Sequence, residues 1–306
     1  MSRRGRFAPD AGLTTRMVVV VFLLGLLYVA AIAVLVAYGI SAIVVLVVVG
    51  GFFAFQYFAS DRLALFAMHG HLVEPAEAPE LHGVIDRICA LSDTPKPKVA
   101  IADSDVPNAF ATGRSPSRAV VCATTGLLRR LEPEELEGVL AHELSHVAHR
   151  DVAVMTVAGF LGVLAGLITR FTLQASMFGG FGGGRGRRDD RDNSTAIIML
   201  VVLVSAVVYA VSFLLIRALS RYRELAADRG AAQLTGRPSA LASALVKVTG
   251  DMSRVPTRDL RAAEPFNAFF FAPALAQGMS LSTLFSTHPS LEQRLNQLSR
   301  LSAGAS

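Results

Sequence analysis

From Met17 to Ser60 the chain carries no charged residue and no histidine, and at about 1.5 Å of rise per residue this length crosses a roughly 30 Å hydrocarbon layer twice. A break at Tyr38-Gly39-Ile40-Ser41 divides it, so the pattern predicts two apolar helices joined in a tight hairpin. A cleaved secretory leader is the alternative for the first half. The stretch is longer than a leader's apolar region, and no small-residue cleavage site sits where one is expected. Two more uncharged runs, Val152–Thr169 and Ser194–Ile216, predict a second apolar hairpin. The former, at 18 residues, only just reaches across a bilayer, and a buried or re-entrant helix also accounts for it.

Between and after these runs polar positions return. "PKVAIAD" and "RAVVCAT" read as short strands and "NAFAT" as an edge strand, while the segment from Asp61 to Ser92 and the chain after Leu219 read as helical. The fold class expected is therefore α+β, mainly helical, with a small sheet attached to transmembrane hairpins. The expected division is a basic N-terminus (1–16), a transmembrane hairpin (17–60), a first polar piece (61–151), a second apolar hairpin with a Gly/Arg-rich connector (152–216) and a second polar piece (217–306). The two polar pieces together suffice for one packed domain.

Composition agrees with a membrane protein: 52 % of residues are apolar and only 17 % charged. Arg3, Arg4, Arg6 and Arg16 precede the first run, Arg62 follows the second, Arg150 precedes the third, and Arg217, Arg221 and Arg223 follow the fourth. With four crossings all these flanks share one side, which identifies it as the cytoplasm and places the chain as a multi-pass protein of the cell membrane. The connector "FGGFGGGRGRRDDRDN" disagrees, since it carries four arginines yet would lie outside; it reads as a flexible linker. A net charge of +5 with no Trp, and arginines gathered at the edges of apolar runs, points to the lipid bilayer as partner and away from nucleic acid. Cys89 and Cys122 make no disulfide framework and read as reduced thiols.

The chemistry lies in "LEPEELEGVLAHELSHVAHRD". Pro133 suits a first helical turn, and Glu132, Glu134 and Glu135 suit its positive end. On that helix His142 and His146 are one turn apart on one face, so two imidazoles can share one ion, and Glu143, about 100° around, can meet a metal-bound water without being a ligand. Such a metal activates water and polarises a carbonyl, while Glu143 takes the proton and passes it to a leaving amine, as peptide hydrolysis requires.

A catalytic zinc usually has three protein ligands and one open position. His149, about 10 Å along the helix from His142, is too far to share the ion. Glu224 in "SRYRELAADRG" is the better candidate, because it follows the fourth apolar run as His146 precedes the third, and a hairpin between them returns the chain to the same side. Asp228, one turn on, is placed to orient a ligand histidine. The alternative is a Glu224 paired with Arg221 or Arg223 on a solvated face. Glu264 and Glu292 are weaker candidates.

His142-Glu143-Leu144-Ser145-His146 followed by Asp151, then Glu224-Leu225-Ala226-Ala227-Asp228, then "FSTHPSLEQRL", in this order between apolar runs, resembles the HtpX family of membrane zinc metalloproteases, relatives of the CAAX-prenyl endopeptidases. The resemblance covers nearly the whole chain. It implies a gluzincin-like domain facing the cytoplasm, one Zn2+ per chain held by His142, His146 and Glu224, and Glu143 as general base. It further implies endoproteolysis of damaged or misfolded membrane proteins, a quality-control and stress-response activity accompanied by autocleavage. By the same resemblance, Asn108, Ala109 and Phe110 would receive an extended substrate by strand addition, and His288 would help stabilise the oxyanion. Ser290 and Gln293 stand at capping-box spacing, with Leu291, Leu295 and Leu298 on one face of the helix that follows, and Arg294 either holds that helix against the site or is solvated.

The sequence departs from the family in its connector and in "EPFNAFFFAPALAQGMS", which reads as core in preference to a substrate-access lid. Two rival functions share these features. One is a non-catalytic membrane scaffold with a structural metal, which would need a fourth ligand; the other is a prenyl-protein-processing protease.

Overall fold

The structure is a computed structural model and describes residues 7–39, 41–113, 115–151, 154–155, 188–252 and 288–304. The third apolar run beyond its residues 154 and 155, the connector up to residue 187, Glu264 and the aromatic stretch 264–280 lie outside the described residues. The chain divides into two compact units, residues 1–14, 59–153 and 219–306 in one and 15–58 and 154–218 in the other.

The second unit is helical and apolar. Helix α1 is Ala11–Ala37 and helix α2 Ala42–Ala67, the chain turning between them at the break noted above. Helix α6 is Arg188–Thr235. It begins inside the segment read as a flexible linker. Residues 188–193 are helical and run directly into the apolar stretch that follows. Among the described residues α1 and α6 are the helices long and apolar enough to cross a membrane. Phe22 is 68 % exposed, Val29 66 % and Leu203 63 %, a surface suited to lipid and costly in water. Within it Tyr28 and Ser212 share a hydrogen bond of 2.9 Å, which satisfies two hydroxyls that hydrocarbon would penalise.

The first unit is built on a four-stranded sheet of order β1-β2-β4-β3, with β1 Gly70–Leu72, β2 Lys98–Ala102, β3 Ala109–Thr112 and β4 Val120–Thr124. β2 and β4 are parallel, and the outer strands run antiparallel to their neighbours. β1 falls within a segment read as helical. Three residues are too few to show alternation, and the turn before it uses a left-handed His69 (φ 53°) that no sequence signal marks. Helix α3, Pro79–Ser92, lays Leu81, Ile85 and Ile88 on the core. After β4 the short α4, Thr125–Leu128, starts with the Thr124 hydroxyl accepting from the Leu127 N–H, and leads to α5, Pro133–Ala148.

α5 is the spine of this unit. A capping box between Glu132 and Glu135 closes its N-terminus, and every residue from Glu135 to Val147 is buried. A helix buried on all sides must satisfy its polar side chains internally. Glu135 does so with Lys247 and Ser243, and Glu137 with Arg87. Helix α7, Pro238–Met252, packs across it where Gly138 leaves room; a Cβ there would stand 3.3 Å from the Leu241 backbone. Gly230 of α6 likewise admits Ser145, whose hydroxyl would be 3.1 Å from an added Cβ, so α5 and α6 approach closely beside His146. The last helix, α8, is Leu291–Ser302, with the Ser290–Gln293 capping box formed and Leu298 fully buried.

Candidate metal centre

His142 and His146 lie on the face of α5 that meets α6, and Glu224 faces them from α6. The candidate ligand atoms of the three lie within 4.8 Å of one another, and all three residues are buried. His142 Nε2 is 3.5 Å from one Glu224 oxygen and His146 Nε2 3.5 Å from the other. Each imidazole is held from behind. His142 Nδ1 is 2.9 Å from Asp228 Oδ1, and His146 Nδ1 is 2.9 Å from Asp151 Oδ2. A carboxylate at Nδ1 favours the proton there and leaves Nε2 as a lone pair. Around a shared cation two such lone pairs and the Glu224 carboxylate converge as ligands. The donor set, two imidazole nitrogens and one carboxylate, suits a borderline-soft divalent metal such as zinc.

The surrounding residues define the charge. Burial alone would raise the Asp228 pKa, yet Arg294 brings it down to about 2. The Arg294 guanidinium, 2 % exposed, forks onto Asp228 with two contacts of 2.7 Å, so the solvated alternative for Arg294 is set aside. Arg223 pairs with Asp151, while Glu224 faces His142, His146 and His288, whose Nδ1 is 3.1 Å away. Glu143 sits beside the cluster, and its Oε2 accepts the Ala111 N–H of β3 at 3.0 Å. Burial holds its carboxyl above the ordinary range despite the flanking histidines.

Asn108 is fully buried just before β3, and its carbonyl accepts the Thr124 N–H at 2.9 Å. This places residue 108 in a hydrogen-bonded pair with β4, so the main-chain groups of Ala109 and Ala111 point to the free edge, towards Glu143 at Ala111. Phe110 pairs with Cys122, and its side chain joins a small cluster with Ala100, Ala102 and Val120. His149 caps α5 outside the cluster, with Nδ1 2.8 Å from the Ser145 carbonyl. Sequence reasoning did not find the Asp151–Arg223 pair or the Ala111 contact, since both depend on backbone placement that no residue pattern announces.

Burial disfavours a charged His142, but Asp228 and Glu224 outweigh it, and without a cation its pKa goes up to about 9. Metal uptake must expel that proton. The apparent affinity for zinc is therefore expected to fall about tenfold for each unit of pH below 9 and to level off above it. Competition titrations of the metal-stripped full chain between pH 7 and 10 measure this, and a flat profile contradicts it.

The family model described as peptidase family M48 matches residues 75–302. "Protease HtpX homolog 1" of Streptomyces coelicolor is 63 % identical over 299 residues, covering 98 % of this chain and 96 % of its own. "Protease HtpX homolog" of Moorella thermoacetica is 55 % identical over 299 residues, covering 97 % of each. Among solved structures, the crystal structure of S. mikatae Ste24p aligns with a TM-score of 0.51 at 19 % identity, covering 94 % of this chain and 67 % of that one, a likeness of fold.

Proposed function

Since the chain belongs to peptidase family M48 and is a membrane metalloprotease, we propose that it is a zinc endopeptidase whose ion is held by His142 Nε2, His146 Nε2 and the Glu224 carboxylate. The observation that carries this reading is the convergence of those three groups with Glu143 beside them. Zinc, when bound, supplies a Lewis acid that polarises the scissile carbonyl and makes water more acidic. Glu143, anchored through Oε2 by Ala111, uses Oε1 to accept the proton of the attacking water and then returns it to the leaving amine. Asp228 keeps the Nδ1 proton on His142, so that Nε2 remains a ligand. His288, beside Glu224, is the proposed donor to the oxyanion.

The free edge of β3 is the proposed substrate platform. An extended polypeptide would pair with the outward groups of Ala109 and Ala111, with Asn108 at the start of the strand and Phe110 fixing it to the sheet. Damaged or misfolded membrane proteins are the proposed substrates, cleaved on the cytoplasmic side of a cell membrane that the chain crosses several times. The arginines flanking the apolar runs support that orientation, and the lipid-suited surface of α1 and α6 supports the membrane placement.

The full chain reconstituted in liposomes with zinc tests the substrate class. A co-reconstituted membrane protein carrying a destabilising core substitution is expected to be cleaved faster than its stable parent, with cleavage stopped by chelator and restored by zinc. Cleavage confined to prenylated peptides overturns this assignment in favour of prenyl-protein processing.

A further inference from the structure

We propose that Asp151 and Arg223 form a positioning pair for His146, so that each histidine of the centre is held by its own carboxylate and its own arginine. The proposal rests on the reading of His142, His146 and Glu224 as metal ligands.

The local backbone is the first support. Asp151 lies five residues beyond His146, and in a continuing helix it would point about 140° away. α5 instead stops at Ala148, with His149 as its C-cap, and Arg150 adopts a left-handed φ of 56°. That conformation is unfavourable for any residue but glycine, and here it swings the chain back under the last turn. Asp151 returns at 1 % exposure with Oδ2 2.9 Å from His146 Nδ1. A left-handed residue after a C-cap is a common helix ending, and here it delivers a buried carboxylate to one ring nitrogen.

Arg223 completes the arrangement from α6. Its Nε is 3.2 Å from Asp151 Oδ2 and its Nη2 is 3.3 Å from Oδ1. The same helix supplies Asp228 to His142, where Arg294 plays the corresponding part. One stretch of α6 thus contributes a ligand, Glu224, and one member of each supporting pair.

Charge explains why two arginines are present. Each neutralises the aspartate it holds, so the imidazoles are oriented by carboxylates that add no net charge to the centre. With neutral imidazoles and both aspartate–arginine pairs neutral, the Glu224 carboxylate is the charged group that faces the ion from α6.

The test uses the detergent-solubilised full chain, reading the zinc dissociation constant by chelator competition and the visible bands of the cobalt(II)-loaded form. D151A and R223Q are each expected to weaken zinc binding about 10–100-fold and to shift the cobalt bands. Because the two act in series, the double variant should be no weaker than D151A. E135Q, at the other end of α5, and R150G should bind zinc as the wild type does. Unchanged affinity and bands in D151A, or losses that multiply in the double variant, overturn the proposal. Should D151A not fold, R223Q decides alone, and a wild-type affinity there overturns it. Wild-type protein that takes up no metal overturns instead the reading of the centre.

Discussion

Glu143→Gln is expected to lower the rate of peptide cleavage by at least about 10²–10⁴-fold while leaving zinc content unchanged. The side chain is buried between the two imidazoles and the edge strand, and glutamine has nearly its volume, so packing is preserved. The amide oxygen can still accept the Ala111 N–H, which keeps the group in place, but the amide nitrogen cannot take a proton from water. The loss should therefore appear in kcat with little change in KM, the signature of an interaction made only in the transition state. Turnover of a quenched peptide by zinc-loaded protein, with metal analysis on the same sample, measures both. Undiminished cleavage would remove Glu143 as the base, and loss of zinc together with activity would make it a ligand.

The residues that were readable in the sequence are those governed by local periodicity. His142 and His146 fall on one face because helical spacing places them there, and the acidic first turn and Pro133 mark where that helix begins. The β2 and β4 strands follow from their Val and Ala runs, and the capping box of α8 from Ser290 and Gln293. Glu224 was reachable by topology, as the first carboxylate after an apolar run that must return the chain. What escaped depends on single backbone torsions or on a choice between solvent and protein. β1 exists because His69 turns left-handed, and Asp151 reaches His146 because Arg150 does. Arg294 looks like one more charged residue on an amphipathic helix; only the placement of Asp228 across from it shows that its face is buried. The segment 188–193 reads as linker because glycine and arginine precede it and Asp and Asn are weak helix formers, and it is helical as a continuation of the apolar helix that follows.

Glu224→Ala is expected to empty the centre of zinc under conditions in which the wild type holds one ion per chain. Substitutions that only disturb the support of a ligand cost about 10–100-fold in affinity, and removing a ligand must cost more. Among the described residues no neighbouring carboxylate is free to take its place. Asp228 and Asp151 are committed to Nδ1 atoms and to Arg294 and Arg223, and Glu143 is tied to Ala111. Removal of the carboxylate also leaves His288 Nδ1 facing a void in a buried site, so some loss of thermal stability should accompany the loss of metal. Glu224→Gln separates the effects, because it fills the space and can accept a hydrogen bond from His288 while lacking the negative charge; it should recover stability but little zinc. Glu292→Ala, on the first turn of α8, is the control and should keep full occupancy. Zinc-to-protein ratios after gel filtration, read beside melting temperatures, distinguish these cases. Full occupancy in Glu224→Ala would show that another group closes the site, and a fourth such group in the wild type would make the metal structural, because a centre enclosed by four side chains has no position left for water.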